Sequence, residues 1–177
     1  AVDSEPHPIV TLSSLGPNRK KMISSVSRIA SMGGGIFIGA GLKAGWRELQ
    51  RSVAGTRHLL LFADADDSEE PADYRETLKE MVKEGATVSV IALGTEKSAD
   101  AGLLREIAEL GRGRIFFCDR PGDIPSIFAQ ETVSVARAAF IRERTSLRGT
   151  AGWLQIAAGQ PEWPPAVDGY NLCYLRN

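Results

Sequence analysis

Residues 58–74 have the sequence HLLLFADADDSEEPADY, in which an apolar run gives way to carboxylates. Residues 59–63 are apolar or aromatic, and six acidic residues follow within the next ten positions. A continuous apolar run that ends in carboxylates is typical of a buried parallel strand whose carboxyl end opens into a polar crevice. Since open α/β sheets bind ligands at that end of their strands, Asp64 marks a candidate site.

Helix and strand patterns alternate around this segment and predict an α/β fold. Apolar side chains at helical spacing predict helices over about 18–31, 38–52, 71–83, 99–110 and from 123 onward. Apolar runs predict further strands at 87–93 and 114–118, and a short strand at 7–12. Short connections between apolar strands favour parallel βαβ units in a doubly wound, Rossmann-like, mostly parallel sheet.

The pattern changes near residue 140, where strand-like segments flank a proline-rich loop at 161–169. The sequence therefore predicts one domain over 1–139. It predicts a short β-rich extension, or the start of a following domain, over 140–177. The chain has no initiator methionine and begins in polar residues. We expect such a start in a fragment of a longer protein.

Composition excludes several function classes. The chain has 21 basic and 22 acidic residues and a net charge of -1, and its basic residues are scattered, so we expect no nucleic-acid partner. No apolar run reaches the roughly 18 residues needed to span a bilayer, so we expect no membrane contact by this segment. Cys118 and Cys173 are too few for a disulfide framework or a zinc site.

The acidic run contains candidate cation ligands. Asp64, Asp66 and Asp67 carry the oxygen ligands that Mg²⁺ and Ca²⁺ prefer, although their spacing differs from that of an EF-hand loop. The later carboxylates are better explained by the positive end of the following helix. No GxSxG, HExxH or Cys/His motif is present, so the sequence predicts no catalytic residue.

A glycine run, GGGIFIGAGL at residues 33–42, lacks the Lys and Ser/Thr of a phosphate-binding loop. It also follows a predicted helix, whereas a dinucleotide-binding loop follows a strand. We therefore interpret it as a helix stop and a tight loop between packed elements.

The pattern of residues 32–132 resembles the von Willebrand factor A-type domain. The resemblance rests on five segments: GGGI at 33–36, HLLLFAD at 58–64, TVSVIALGT at 87–95, LLREIAELGRGRIFF at 103–117 and IPSIF at 124–128. The sequence is most similar to A-type domains of bacterial membrane-anchored proteins that also carry a glutamine-amidotransferase-like domain. The resemblance covers the C-terminal part of such a domain and implies a protein-interaction function.

The resemblance also implies a metal-ion-dependent adhesion site. In the family this site combines a DxSxS motif after the first strand, a threonine in a GGT loop and an aspartate in a strand ending like LLTDG. Here the threonine position falls on Ile36, the strand-end aspartate falls on Asp64, and DxSxS would precede the chain. The resemblance therefore implies a degenerate site with Asp64 as its remaining ligand, and Asp66 and Asp67 are alternative cation ligands.

The family's first strand would lie in the middle of the sheet, beside residues 59–63. Without it, this strand would expose a long apolar edge, which is prone to pair with other strands. We expect either residues 1–12 or a strand from another chain to cover the edge. The second option includes a homo-oligomer formed through the open sheet edge.

Three functions fit these patterns. The first is a non-enzymatic interaction module that binds a protein partner or an adjacent domain. The second is a metal-dependent phosphoryl-transfer or hydrolase enzyme that uses Asp64 and Asp66, which have DxD spacing. The third is a ligand-free structural scaffold segment.

Overall fold

The computed structural model describes residues 1–30, 35–53, 55–66, 68–69, 73–137, 140–141, 144–147 and 166–171. The chain divides into two compact units, Ala1–Glu131 and Thr132–Asn177. This division falls within a helix. The domain boundary that the sequence predicts at residues 139–140 stays a prediction.

Helices and strands alternate along most of the first unit. The helices are α1 (Leu15–Val26), α2 (Ile38–Gln50), α3 (Tyr74–Lys83), α4 (Ala101–Leu110) and α5 (Ile124–Arg137), and Pro121–Asp123 forms a 3-10 turn. The strands are β1 (Ile36–Phe37), β2 (Arg57–Asp64), β3 (Ser68–Glu69), β4 (Ala86–Leu93), β5 (Arg112–Cys118), β6 (Phe140–Ile141) and β7 (Tyr170–Asn171). The predicted helices and the predicted strands at 59–63, 87–93 and 114–118 are confirmed, with ends that differ by a few residues.

Strands β2, β4 and β5 form a parallel sheet in that order. Strand β2 pairs with β4 from Arg57 opposite Ala86 to Asp64 opposite Leu93. Strand β4 pairs in turn with β5, ending with Leu93 opposite Cys118. Single helices, α3 and α4, connect these neighbouring strands, as expected for βαβ units. The prediction of a mostly parallel α/β sheet is confirmed.

Helices α2, α3 and α4 cover one face of the sheet and form the hydrophobic core with it. Alternate residues of β4 point to this face because successive side chains of a strand point to opposite sides. The core contains Val88, Val90 and Ala92 of β4, Ile38, Leu42 and Trp46 of α2, Leu78 and Met81 of α3, and Leu104 and Ile107 of α4. Burying each large apolar side chain contributes about 1.5–3 kcal/mol, so this face is the main source of hydrophobic stabilisation in the first unit.

Helix α5 lies on the opposite face. The Ser89 hydroxyl of β4 donates a hydrogen bond to Glu131 of α5 at 2.5 Å. The rings of Phe62 on β2 and Phe128 on α5 stack with their centroids 6.0 Å apart. Helices therefore cover both faces, and the sheet is doubly wound. Within the described residues, no strand pairs with the outer side of β2, where the family's first strand would lie.

The predicted strand at residues 7–12 is absent, and the expectation that residues 1–12 close onto β2 is wrong. Val2 and Pro6 form a single antiparallel bridge, and the carbonyl of Asp3 accepts a hydrogen bond from the Phe37 N–H at 3.0 Å. The N-terminal segment therefore binds beside β1. Proline cannot donate to a strand ladder, and Pro6 and Pro8 limit strand pairing here.

Strands β1 and β3 form a separate two-residue parallel pair that the sequence did not predict. Ile36 lies opposite Ser68, and Phe37 lies opposite Glu69. The side chain of Ile36 is partly buried against the hydrophobic core. Gly33 and Gly34 of the glycine run lie outside the described residues, so the predicted tight loop stays a prediction.

The described part of the second unit contains a short antiparallel strand pair. Strand β6 pairs with β7 in antiparallel orientation, with Phe140 opposite Asn171 and Ile141 opposite Tyr170. Thr145 and Val167 form a further antiparallel bridge. Cys173 lies outside the described residues.

Helix α1 contributes no buried side chain. Its apolar residues Leu15, Ile23 and Val26 are all exposed. In the part of the chain that the structure describes, we find no helix that combines the length and apolar character required to cross a bilayer.

Candidate functional site

The carboxyl ends of β2, β4 and β5 lie at one edge of the sheet. Asp64, Leu93 and Cys118 are the last residues of these strands and lie opposite one another in register. We call this the carboxyl edge. It is the edge at which open α/β sheets bind ligands, and it places Asp64 where the sequence predicts it.

Asp64 organises the backbone just beyond β2. Its Oδ1 accepts a hydrogen bond from the Asp66 N–H at 3.0 Å. Between them, Ala65 is fully buried, and its N–H donates to the Leu93 carbonyl at 2.9 Å. The Ala65 carbonyl accepts from the Asp100 N–H at 2.7 Å. Asp64 and its neighbours therefore connect the end of β2 to the start of α4.

Asp66 is engaged through both carboxylate oxygens. Its Oδ2 accepts from the Ser98 hydroxyl at 2.9 Å, and its Oδ1 accepts from the Ala99 N–H at 2.9 Å. Ser98 Oγ also accepts from the Thr95 N–H at 3.1 Å. Asp66 thus fastens the loop before α4 to the end of β2. Sequence reasoning missed Ser98, although a serine shortly before a helix is a recognisable signal for such a contact.

Two observations bear on the adhesion metal site that the sequence resemblance implies. Ile36, at the threonine position, offers an aliphatic side chain packed against the core. Among the described residues, no group of three or more His, Cys, Asp or Glu side chains is arranged to hold a metal ion. Asp67 lies outside the described residues, so its proposed ligand role stays a prediction.

Solved structures share this arrangement of strands and helices. A protein described as von Willebrand factor type A, from Catenulispora acidiphila, matches with a TM-score of 0.60 at 22% identity. The fold is that of a von Willebrand factor A-type domain. The match covers 69% of this chain and 28% of the Catenulispora chain, so this chain spans less than a third of that protein.

A second structural match is an aerotolerance-related membrane protein from Bacteroides fragilis. Its TM-score is 0.51 at 17% identity, and the match covers 67% of this chain and 70% of that chain. No family model matches the sequence, and no curated protein matches it. At these identities the likeness establishes the A-type fold and not the function.

A cluster of polar side chains lies on the face of the sheet that α5 covers, and the sequence did not predict it. This polar cluster consists of His58 on β2, Ser89 on β4, Arg114 on β5 and Glu131 on α5. Ser89 and Glu131 are 0% and 1% exposed. Because a buried carboxylate is costly unless it is paired, Glu131 must be held by its partners.

The partners of Glu131 come from all three strands. Ser89 donates to Oε1, and the Arg114 guanidinium donates to Oε2 in an ion pair. Ser89 Oγ accepts in turn from the Arg114 N–H at 2.9 Å. His58 Nε2 lies 3.7 Å from Glu131 Oε1, beyond hydrogen-bond distance. The cluster therefore joins α5 to the sheet.

The polar cluster lacks the geometry of a catalytic triad. Catalysis by serine needs a base that takes the hydroxyl proton. Here the Ser89 proton goes to Glu131, and His58 Nδ1 contacts the Thr87 hydroxyl at 2.7 Å instead of Ser89. Burial beneath α5 also removes Ser89 from solvent. We therefore interpret the cluster as structural.

We expect His58 to make stability depend on pH. Burial lowers the pKa of His58 below its ordinary value of 6.5, Glu131 opposes this effect, and Arg114 adds to it. The unfolded chain then binds a proton more readily than the folded chain. The contribution of neutral His58 is fully present above pH 6.5 and is lost as pH falls through the lower, folded-state pKa.

Urea unfolding followed between pH 8 and pH 5 measures this dependence. The free energy of unfolding should fall below about pH 6.5, and His58→Gln should flatten that part of the curve because glutamine does not titrate. An unchanged slope in His58→Gln would assign the dependence to other groups.

Proposed function

We propose that this chain is a non-enzymatic protein-interaction module with a von Willebrand factor A-type fold and a degenerate metal-ion-dependent adhesion site. The observation that carries the proposal is the engagement of Asp66, whose two carboxylate oxygens accept hydrogen bonds from Ser98 and Ala99. A carboxylate used in this way has fewer lone pairs left for a cation, and its hydrogen bonds hold it against the loop before α4.

Ile36 gives the second argument for degeneracy. Carried over from the family, its position is that of the ligating threonine, yet its side chain has no oxygen and packs against the core. Hard cations need several oxygen ligands, so an aliphatic residue at this position weakens the site. An interaction at the carboxyl edge would therefore use the surface of the loops instead of a bridging cation.

The enzyme alternative is less well supported. A phosphoryl-transfer site would need both carboxylates of the Asp64 and Asp66 pair to act on a metal or a substrate. Asp66 is turned towards Ser98, and Asp64 Oδ1 accepts from the Asp66 N–H. Arg120, just beyond β5, forms an ion pair with Asp123 at 2.8 Å.

The same proposal places the chain in a bacterial, membrane-anchored parent protein. It is supported by the sequence resemblance to such proteins and by the Bacteroides fragilis match, which is described as a membrane protein. The segment itself would then be the part that meets a partner.

Calorimetric titration with Mg²⁺, Mn²⁺ and Ca²⁺, together with an assay of a generic phosphate ester, tests the proposal. We expect no cation binding tighter than about 1 mM and no turnover. Asp64→Ala should behave like the wild type in both assays. Asp119→Ala is the matched control, because Asp119 is an exposed carboxylate that directly follows β5 at the same edge.

Micromolar cation binding that disappears in Asp64→Ala and persists in Asp119→Ala would overturn the degenerate-site proposal. Turnover with the same dependence would overturn the non-enzymatic assignment.

A further inference from the structure

Helix α1 lies in a stretch of the chain that has no acidic residue. Residues 6–47 include no aspartate and no glutamate. Four basic residues lie in α1 or just after it: Arg19, Lys20, Lys21 and Arg28. All four are exposed, and within the described residues none of them forms an ion pair. The helix therefore presents a concentrated patch of positive charge.

Ser24 lies in the middle of this patch. Lys20 precedes it by four residues and Arg28 follows it by four, and side chains at this spacing are neighbours on a helix surface. Arg28 Nη2 donates to Ser24 Oγ at 3.4 Å, and Arg28 Nε donates to the Ser24 carbonyl at 2.9 Å. Ser24 is exposed. The apolar residue Val26 lies on the opposite side of α1, so whatever packs there leaves Ser24 accessible.

Ser24 differs from the other hydroxyl residues of the chain. Three of the five residues before it are basic, and no other serine or threonine has more than two. The next residue, Ser25, is only partly exposed. The Ser27 hydroxyl donates to the Ile23 carbonyl at 2.9 Å and is therefore used by the helix end. Ser24 is thus the hydroxyl of this segment that is best placed to carry an anionic group.

We propose that Ser24 is a phosphorylation site for a serine/threonine protein kinase that selects basic residues before its substrate serine, and that Arg28 holds the phosphate. In the reaction, Ser24 Oγ forms a bond to the γ-phosphorus of ATP. The bond between that phosphorus and the bridging oxygen of ADP breaks, and the catalytic aspartate of the kinase takes the hydroxyl proton. This site goes beyond the proposed interaction function and lies on a different element from the carboxyl edge.

The surrounding cations would stabilise the phosphorylated form. A phosphoserine carries a charge of about -1.5 to -2 at pH 7 and has three acceptor oxygens. The planar guanidinium of Arg28 matches the geometry of a phosphate, and Lys20 and Lys21 add charge at positions four and three residues earlier. The carboxyl end of α1 opposes a negative charge, but three cations outweigh one helix end because each pair has an effect of similar size.

Helix α1 can open locally to enter a kinase, which binds its substrate in an extended form. The helix has 12 residues, and its N-cap Ser14 makes no side-chain cap hydrogen bond. Its first turn has no acidic residue and its last turn has no basic residue, so the helix dipole is not compensated. Helices of this length are marginally stable by themselves, and we therefore expect local opening to be frequent.

Incubation of the chain with ATP and a kinase of this specificity, followed by peptide mass spectrometry, tests the site. We expect one phosphate, on Ser24. Ser24→Ala should abolish the modification, and it should fold normally by circular dichroism because alanine is a good helix former. Ser25→Ala is the matched control and should still be phosphorylated. Absence of phosphate, or phosphate on Ser25 in place of Ser24, would overturn the proposal.

Titration of the phosphorylated chain by phosphorus NMR tests the role of Arg28. The second pKa of a phosphoserine is ordinarily about 6, and it should be lower by about 0.5 in the folded chain than in the urea-unfolded chain. Arg28→Gln should remove most of this difference. Arg19→Gln is the matched control, because Arg19 has the same charge and lies five residues from Ser24 but does not contact it. Equal effects of the two variants, or equal pKa values in the folded and unfolded chains, would contradict a phosphate held by Arg28.

Discussion

Arg114→Met should lower the free energy of unfolding by about 3 kcal/mol, because it leaves the Glu131 carboxylate buried without its ion partner. Glu131 is 1% exposed, so water cannot replace the guanidinium. Ser89 would remain as a hydrogen-bond donor, but a single neutral donor does not offset a buried charge. Arg114 itself is partly exposed, which places the expected loss at the lower end of the range for buried pairs.

Urea unfolding measures the effect, and a double variant tests its cause. Arg114→Met with Glu131→Met should recover much of the loss, since the unpaired charge is removed and apolar side chains replace both partners. Arg112→Met, on the same strand and exposed, should change stability by no more than about 0.5 kcal/mol. A double variant that costs the sum of the two single variants would contradict the ion-pair explanation.

Gly113→Ala should destabilise the first unit by at least about 3 kcal/mol. A Cβ atom at Gly113 would overlap the Val88 carbonyl oxygen and lie 2.5 Å from its carbonyl carbon. These are backbone atoms, so no change of rotamer can relieve the clash. The pairing of β4 with β5 shifts register between Val88 and Val90, and this irregularity lets the two backbones approach closely at Gly113.

Gly102→Ala is the matched control for this prediction. A Cβ at Gly102 meets no atom within 4 Å, and the residue lies in α4. Alanine is the better helix former, so this variant should be stabilised by about 0.5 kcal/mol. Equal urea midpoints for the two variants would show that the strands separate at Gly113 without cost.

Local patterns predicted most of the sheet. The apolar runs at Leu59–Ala63 and in β4 identified strands of the sheet, because a strand covered on both faces needs apolar side chains in succession. The position of Asp64 followed from the end of its run. Strand runs and strand ends depend on residues that are close in sequence, so local patterns are enough to predict them.

Long-range contacts were not predictable in the same way. Ser89 and Glu131 are 42 residues apart, and nothing local distinguishes Glu131 from an exposed helix carboxylate. The isolated serine in an apolar strand was the available signal that a polar partner lies opposite. The predicted strand at residues 7–12 was wrong for a related reason. Strand propensity does not reveal whether a neighbouring strand is present to pair with.

In the main sheet, the spatial order of the strands is β2, β4, β5, which is also their order along the chain. Each contact between strands therefore closes a loop of only one helix, which keeps the entropy loss of folding small. During synthesis, β2 is already available when β4 emerges, and β4 is available when β5 emerges. The sheet can thus assemble from its amino-terminal strand outward, without waiting for distant parts of the polypeptide.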